Sequence, residues 1–173
     1  MKKILISLVA FVFATGAFAK EVTLLMDWFP QGNQSGYWQA EFDNRYHTDV
    51  TIKVKAGGPK VNTTTAVASG QVEFGLQASD SVMLANAKGA GLKGIFVSLN
   101  HVPYTLVYHP NTGVNSVKDL DGRPFAVKMG VTYWKWVKHT YGLNKVKEFP
   151  LTGDLGLFAR TPQQFQQGYS LFL

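Results

Sequence analysis

The sequence contains no cysteine, which excludes disulfides, thiolate nucleophiles, CxxC redox pairs and cysteine metal sites and leaves stability to the core. Acid is also scarce: 11 Asp and Glu stand against 17 Lys and Arg, a formal charge of +6. The basic residues are scattered, however, and no run of them resembles a nucleic-acid footprint or a polybasic membrane patch, so no nucleic-acid partner is expected. The four histidines, His47, His101, His109 and His139, fall in unrelated contexts. There is no HExxH, no His pair at metal spacing and no GxSxG elbow, and the glycine runs Gly57-Gly58 and Gly89 to Gly94 fit neither GxGxxG nor a P-loop. The carboxylates are equally dispersed, so spacing nominates no general acid and base. Neither a catalytic constellation, nor a metal site, nor a cofactor is expected.

What is present begins with a leader. Lys2 and Lys3 form a basic start, Ile4 to Thr15 an apolar stretch, and Gly16-Ala17-Phe18-Ala19 a small-x-small cleavage site, the pattern of a secretory signal peptide over 1–19. The apolar stretch is well short of the roughly 20 residues a spanning helix needs. Loss of the leader removes two of the basic residues, and the product is expected to be exported.

The rest of the 173 residues, 46% of them apolar, suffices for an ordinary α/β core. Val22 to Trp28 is β-branched and apolar and breaks at Pro30-Gln31-Gly32-Asn33, a strand feeding a loop. Ser35 suits an N-cap for a helix over Gly36 to Tyr46. Val50 to Lys55 alternates with period two and ends at Ala56-Gly57-Gly58-Pro59. Asn62 or Thr63 caps a short helix through Ser69, Gly70 stops it, and Val72 to Gln77 is strand-like. Ser79-Asp80 opens a helix that stops at Gly89, and Lys93 to Leu99 and Tyr104 to Tyr108 read as two more strands. Ser116 to Gly122 reads as a one-turn helix with Ser116 as its cap, where the chain is expected to cross into a second unit with room for two strands. Pro124 to Val127 begins that unit, Gly130-Val131-Thr132 leads into an aromatic helix through Tyr141 with Gly142 as its stop, and Thr161 to Gln167 suits a last helix. The alternation predicts a mostly parallel sheet with ligands at the carboxyl ends of the strands.

The loops at those ends hold groups suited to a small planar ligand. Asp27 and Trp28 close strand one, where the ring would stack on a ligand or plug the core and the carboxylate would accept N–H donors. Gly57-Gly58-Pro59 follows strand two. Ser79 and Asp80 open a helix whose free N–H groups would hold an anionic or carbonyl group, or they serve as simple caps.

Met26-Asp27-Trp28-Phe29-Pro30, Ser35-Gly36-Tyr37, the segment from Gly57-Gly58-Pro59 through Ala68-Ser69-Gly70-Gln71-Val72-Glu73-Phe74-Gly75, and Ser116-Val117-Lys118-Asp119-Leu120-Asp121-Gly122 resemble the NMT1/THI-type group of solute-binding proteins. That group is similar to alkanesulfonate-, taurine- and thiamine-precursor-binding proteins. The resemblance implies an α/β clamshell of the type II periplasmic-binding-protein class, with lobe one over 20–112 and an incomplete lobe two over 113–173. It implies a cleft in which Trp28 is a wall, Gly58 and Pro59 shape the rim, Ser79 and Asp80 contact the ligand, and Gly130 to Trp134, including Tyr133, approach from lobe two. Gln34 stands where many relatives carry His, and with Tyr37 it joins the ligand-facing set. The implied role is a periplasmic, monomeric component that delivers a small ring-containing or anionic solute to an ABC permease, a thiamine pyrimidine precursor ahead of a sulfonate. Two alternatives accompany it. One is a pyrimidine-synthesising enzyme of the same fold, against which the missing cysteine cluster of the fungal enzymes argues. The other is a non-functional remnant, because relatives run to roughly 300 residues, a two-domain length, and Ser170 to Leu173 matches nothing expected after Gln167-Gly168-Tyr169.

Overall fold

The computed structural model describes residues 19–43 and 49–170. The expected leader, His47 and the end of the helix expected to reach Tyr46 lie outside the described residues, apart from Ala19.

Two sheets organise the described residues. The first has the order β2-β1-β3, from β1 (Lys20–Leu25), β2 (Val50–Lys55) and β3 (Phe74–Gly75). β1 runs parallel to both neighbours, with Lys20 opposite Val50 and Leu24 opposite Phe74. Its apolar side chains bury Val22 and end on the fully buried Met26. Helix α1 (Ser35–Asp43) packs on β2, and Glu41 accepts the Val54 N–H at 3.0 Å, occupying a donor that an edge strand leaves unpaired. Helix α2 (Thr63–Ala68) is capped by Asn62, whose side chain accepts the Thr65 N–H at 3.1 Å, and helix α3 (Ser79–Asn86) follows β3.

The second sheet has the order β4-β7-β5-β6, built from β4 (Tyr104–Tyr108), β5 (Pro124–Val127), β6 (Lys147–Pro150) and β7 (Phe165–Tyr169). β5 is parallel to β6 and β7, and β4 is antiparallel to β7. Helix α4 (Thr132–Tyr141) ends at Gly142, which takes φ 69 in the left-handed region that suits glycine. Phe125, Val127, Trp134, Leu143, Phe165 and Leu120 form the core beneath this sheet. The Phe125 ring stacks on Phe165 at 4.3 Å and meets Trp134 at 4.3 Å, aromatic pairs worth roughly 0.5–1.5 kcal/mol each beyond the area they bury.

Four expectations change. Lys93 to Leu99 forms no strand: Ile95 and Phe96 are each 75% exposed, and an apolar run without a neighbouring strand has no ladder for its backbone to join. Tyr104–Tyr108, placed with lobe one by a boundary at 112, is hydrogen-bonded in the second sheet. The second unit accommodates three strands after residue 113, not two. The segment expected as a last helix, Thr161 to Gln167, instead feeds β7, because its backbone fills the slot between β4 and β5 and buries Gln164, Gln166 and Gln167; pairing on both sides outweighs glutamine's helix propensity. The helix in this region is α5 (Leu155–Arg160), one step earlier, with Asp154 accepting the Gly156 N–H at 2.8 Å.

Candidate functional site

The backbone that leaves β1 turns sharply at Asp27 and Trp28, and Gly57 makes the turn fit. Gly57 donates its N–H to the Trp28 carbonyl at 2.9 Å, and a Cβ there would stand 2.0 Å from the Met26 carbonyl oxygen, a separation only glycine avoids. Gly58 backs onto the Phe29 ring, 3.3 Å from where its Cβ would be. The Trp28 ring is 7% exposed and meets Phe29 edge-on at 5.6 Å, so the exposed, stacking wall expected at this position is a ring already largely covered.

Asp27 is the carboxylate of the site. Gln34, in the one-turn helix Gly32–Gln34 and only 5% exposed, donates Nε2 to Asp27 Oδ1 across 3.4 Å, while its own Oε1 is buried without a partner. Burial pushes the Asp27 carboxyl above its ordinary value, and the nearby Lys128 charge pulls it partly back. Lys128 comes from the other sheet, directly after β5. Its Nζ donates to the Asp27 carbonyl oxygen at 2.9 Å and lies 5.5 Å from the centre of the Trp28 ring. Burial lowers the Lys128 ammonium and the Asp27 charge opposes that.

Three tyrosines complete the cluster. Tyr104, the first residue of β4, stands opposite Tyr169, the last of β7, with ring centres 5.3 Å apart. Tyr133, in the first turn of α4, stacks on Tyr104 at 4.4 Å, and its hydroxyl is buried without a partner. Burial raises all three phenols; Asp27 adds to this at Tyr104 and Tyr169, and Asp80 adds at Tyr104. They therefore stay neutral donors at any physiological pH. Gln167 links the set, accepting the Lys128 backbone N–H at 3.1 Å and reaching the Tyr169 hydroxyl at 3.3 Å.

Of the residues nominated from sequence, the structure gathers Asp27, Trp28, Gln34 and Tyr133, with Asp80 near enough for its charge to reach Tyr104. Asp80, inside the first turn of α3, also accepts the Ser81 N–H at 2.7 Å, whereas Ser79 is exposed, and the N-cap position is Ala78, with no side-chain cap. Tyr37 has a buried, unpartnered hydroxyl on α1. Gly58 and the half-buried Pro59 shape the turn behind Phe29, and Gly130, at φ 81, leads the chain into α4. Trp134 is a correction: at 2% exposure it belongs to the core against Phe125 and Phe165, since the second helical position after Thr132 points under the sheet. Lys128, Tyr104, Tyr169 and Gln167 were missed. Lys128 had a signal, because it is the residue at the carboxyl end of Pro124 to Val127, where this fold class puts its ligands.

A separate groove of about 540 Å³, lined by Pro30, Gln31, Trp38 and Phe42 among others, runs along α1 and includes none of the clustered ionisable groups. Among the described residues no group of three or more His, Asp or Glu is placed to hold a metal ion, and no helix is long and apolar enough to cross a membrane.

A cluster at the carboxyl ends of strands, fed from two mostly parallel sheets, agrees with what the comparisons with known proteins find. The chain superposes on the periplasmic aliphatic sulphonate binding protein SsuA from Escherichia coli with a TM-score of 0.52 and 14% identity, over 87% of this chain and 51% of that one. It is 25% identical over 118 residues to the 4-amino-5-hydroxymethyl-2-methylpyrimidine phosphate synthase of Legionella pneumophila, covering 64% of this chain and 35% of that protein. The chain thus spans about half of the first and about a third of the second. The structural likeness establishes an α/β fold of the periplasmic-binding-protein type. The NMT1/THI5-like family model matches residues 33–147, a span that takes in Gln34, Asp80, Tyr104, Lys128 and Tyr133, and the chain therefore belongs to the NMT1/THI5-like family.

Proposed function

We propose that the chain is a periplasmic solute-binding component of an ABC importer, that it acts as a monomer with the inner-membrane permease as its partner, and that it binds a small ring-containing or anionic solute between its two sheets. The observation that carries this reading is the cluster itself. Asp27 and Lys128 come from different sheets, both partly buried, and meet beside three neutral tyrosines and the Trp28 ring. Burying ionisable groups costs stability unless they are paired, so such a cluster at strand ends marks a site with a ligand to meet.

The chemistry favours a heteroaromatic amine over a plain sulfonate. Asp27 accepts N–H donors, the tyrosine rings offer flat faces and phenolic donors, and a thiamine pyrimidine precursor has an amino group, ring nitrogens and a flat face to match. The Legionella pneumophila relative is named for making such a pyrimidine phosphate, which raises the synthase as the alternative. Against synthesis, the sequence offers no cysteine, and of the described histidines His109 is engaged with Phe158, donating Nε2–H to its carbonyl oxygen at 2.8 Å and stacking on its ring at 4.2 Å.

Thermal melting of the full chain against pyrimidines and alkanesulfonates tests the reading. A hundredfold excess over the dissociation constant adds about 2.7 kcal/mol, and a solute that stabilises the protein is expected back unchanged after incubation. Turnover of the added compound would favour the synthase instead, and a folded protein stabilised by no member of the panel would remove the ligand class.

A further inference from the structure

Lys128 is held as a reader of charge would be. Its backbone is fixed at the end of β5 by the Val127 strand and by Gln167 Oε1 on the neighbouring strand. Its ammonium is partly buried, yet among the described residues it belongs to no ion pair: those formed join Lys53 to Glu41 and Lys138 to Glu148. Its protein acceptor is a neutral carbonyl, that of Asp27, at 2.9 Å. The Asp27 carboxylate is in the matching position, partly buried and in no ion pair among the described residues; Gln34 Nε2 reaches it at 3.4 Å and its own backbone N–H also favours the charged form. A buried cation and a buried anion of the same site are thus close enough to feel each other without spending themselves on a salt bridge. Pairing them directly would satisfy both and leave nothing for a ligand; keeping them apart makes one head positive and the other negative.

We infer that Lys128 is a specificity-determining residue of the site, leaving the Asp27 carbonyl to take the anionic group of a solute whose N–H donors go to the Asp27 carboxylate. This rests on the solute-binding reading above and narrows it to two-headed solutes that carry an N–H donor and an anion on one small frame. The Trp28 face beneath the ammonium stabilises the resting position by a cation–π contact, which a charge-assisted bond to a phosphate or sulfonate outweighs.

The test uses matched pairs that differ only in the anion: 4-amino-5-hydroxymethyl-2-methylpyrimidine with and without its phosphate, and 2-aminoethanesulfonate against 2-aminoethanol. Each is titrated calorimetrically into the full chain, into Lys128→Gln and into Lys128→Arg, with a melt to show that every variant is folded. In at least one pair the wild type is expected to prefer the anionic member by about tenfold or more, the scale of one charge-assisted hydrogen bond. Lys128→Gln should remove that preference by costing the anionic member more than the neutral one, and Lys128→Arg, which keeps the charge, should retain most of it. Equal losses on both members of a pair would make Lys128 a structural strut and overturn the inference, as would an anion preference that survives Lys128→Gln. A folded wild type that binds none of the four compounds would overturn the solute-binding reading and this inference with it, whereas binding without any anion preference would overturn this inference alone.

Discussion

Asp27 is where stability and binding pull in opposite directions. Burial raises its carboxyl above the ordinary 3.8, so between that value and the raised one the folded state holds more protons than the unfolded state. Stability therefore falls as pH rises through that window and stays lower above it. Asp27→Asn removes this cost, and the variant is expected to melt higher than the wild type at pH 7 and to lose the advantage near pH 3, when the melts are followed by circular dichroism. Trp28 behaves differently. With 7% of its surface exposed, Trp28→Ala should cost about 3–5 kcal/mol in denaturant unfolding, the range for a truncated core aromatic; a loss under about 1 kcal/mol would show that the ring is not part of the core. Asp27 stood out as a candidate because a carboxylate ending an apolar strand is conspicuous, whereas the sequence left Trp28 open between a ligand wall and a core plug, and its ring is largely covered. Trp134 misled because an aromatic in the first turn of a helix looks the same whether it faces a cleft or a core, and only the packing of Phe125 and Phe165 decides. Tyr104 and Tyr169 were invisible because they come together across a strand pair 65 residues apart in sequence, by subtraction of 104 from 169.

At the scale of elements, the local rules worked where the local signal was strong. Val50 to Lys55, Tyr104 to Tyr108 and Pro124 to Val127 are strands, Asn62 caps α2, Ser116 and Asp119 form a reciprocal capping box, and Gly142 ends α4. They failed where partners decide. Lys93 to Leu99 has the apolar content of a strand but no neighbour, and Phe165–Tyr169 has a helix-tolerant composition but two neighbours. α5 was legible in principle, since Asp154 stands before Leu155, Leu157 and Phe158 in the pattern of a capped amphipathic turn. The turn that presents Asp27 depends on Gly57 more than on Gly58. Gly57→Ala sets a Cβ 2.0 Å from the Met26 carbonyl oxygen, so backbone must move, whereas Gly58→Ala meets only the Phe29 ring at 3.3 Å, which is itself exposed and free to shift. Gly57→Ala should cost about 1–3 kcal/mol or more and Gly58→Ala less than about 1 kcal/mol in urea unfolding; equal costs would mean that the turn is not held by this close approach.

On the scale of the whole molecule, the two sheets are tied together at the site, among the described residues, by contacts that include Lys128 to the Asp27 carbonyl and α3 against α4. The arrangement puts the carboxyl ends of β1, β5 and β7 and the start of β4 around one cluster, as expected of a fold that takes ligands between its halves. The account stands on the claim that this cluster, and not the groove along α1, receives the solute. Isothermal titration of wild type and Asp27→Asn with whichever compound stabilises the protein in the melting panel tests it most directly. The account predicts one solute per chain and an affinity lowered about tenfold or more by Asp27→Asn, the loss expected when a charged acceptor becomes a neutral one. Binding of one solute per chain with an affinity unchanged by Asp27→Asn would contradict it and move the site elsewhere on the molecule.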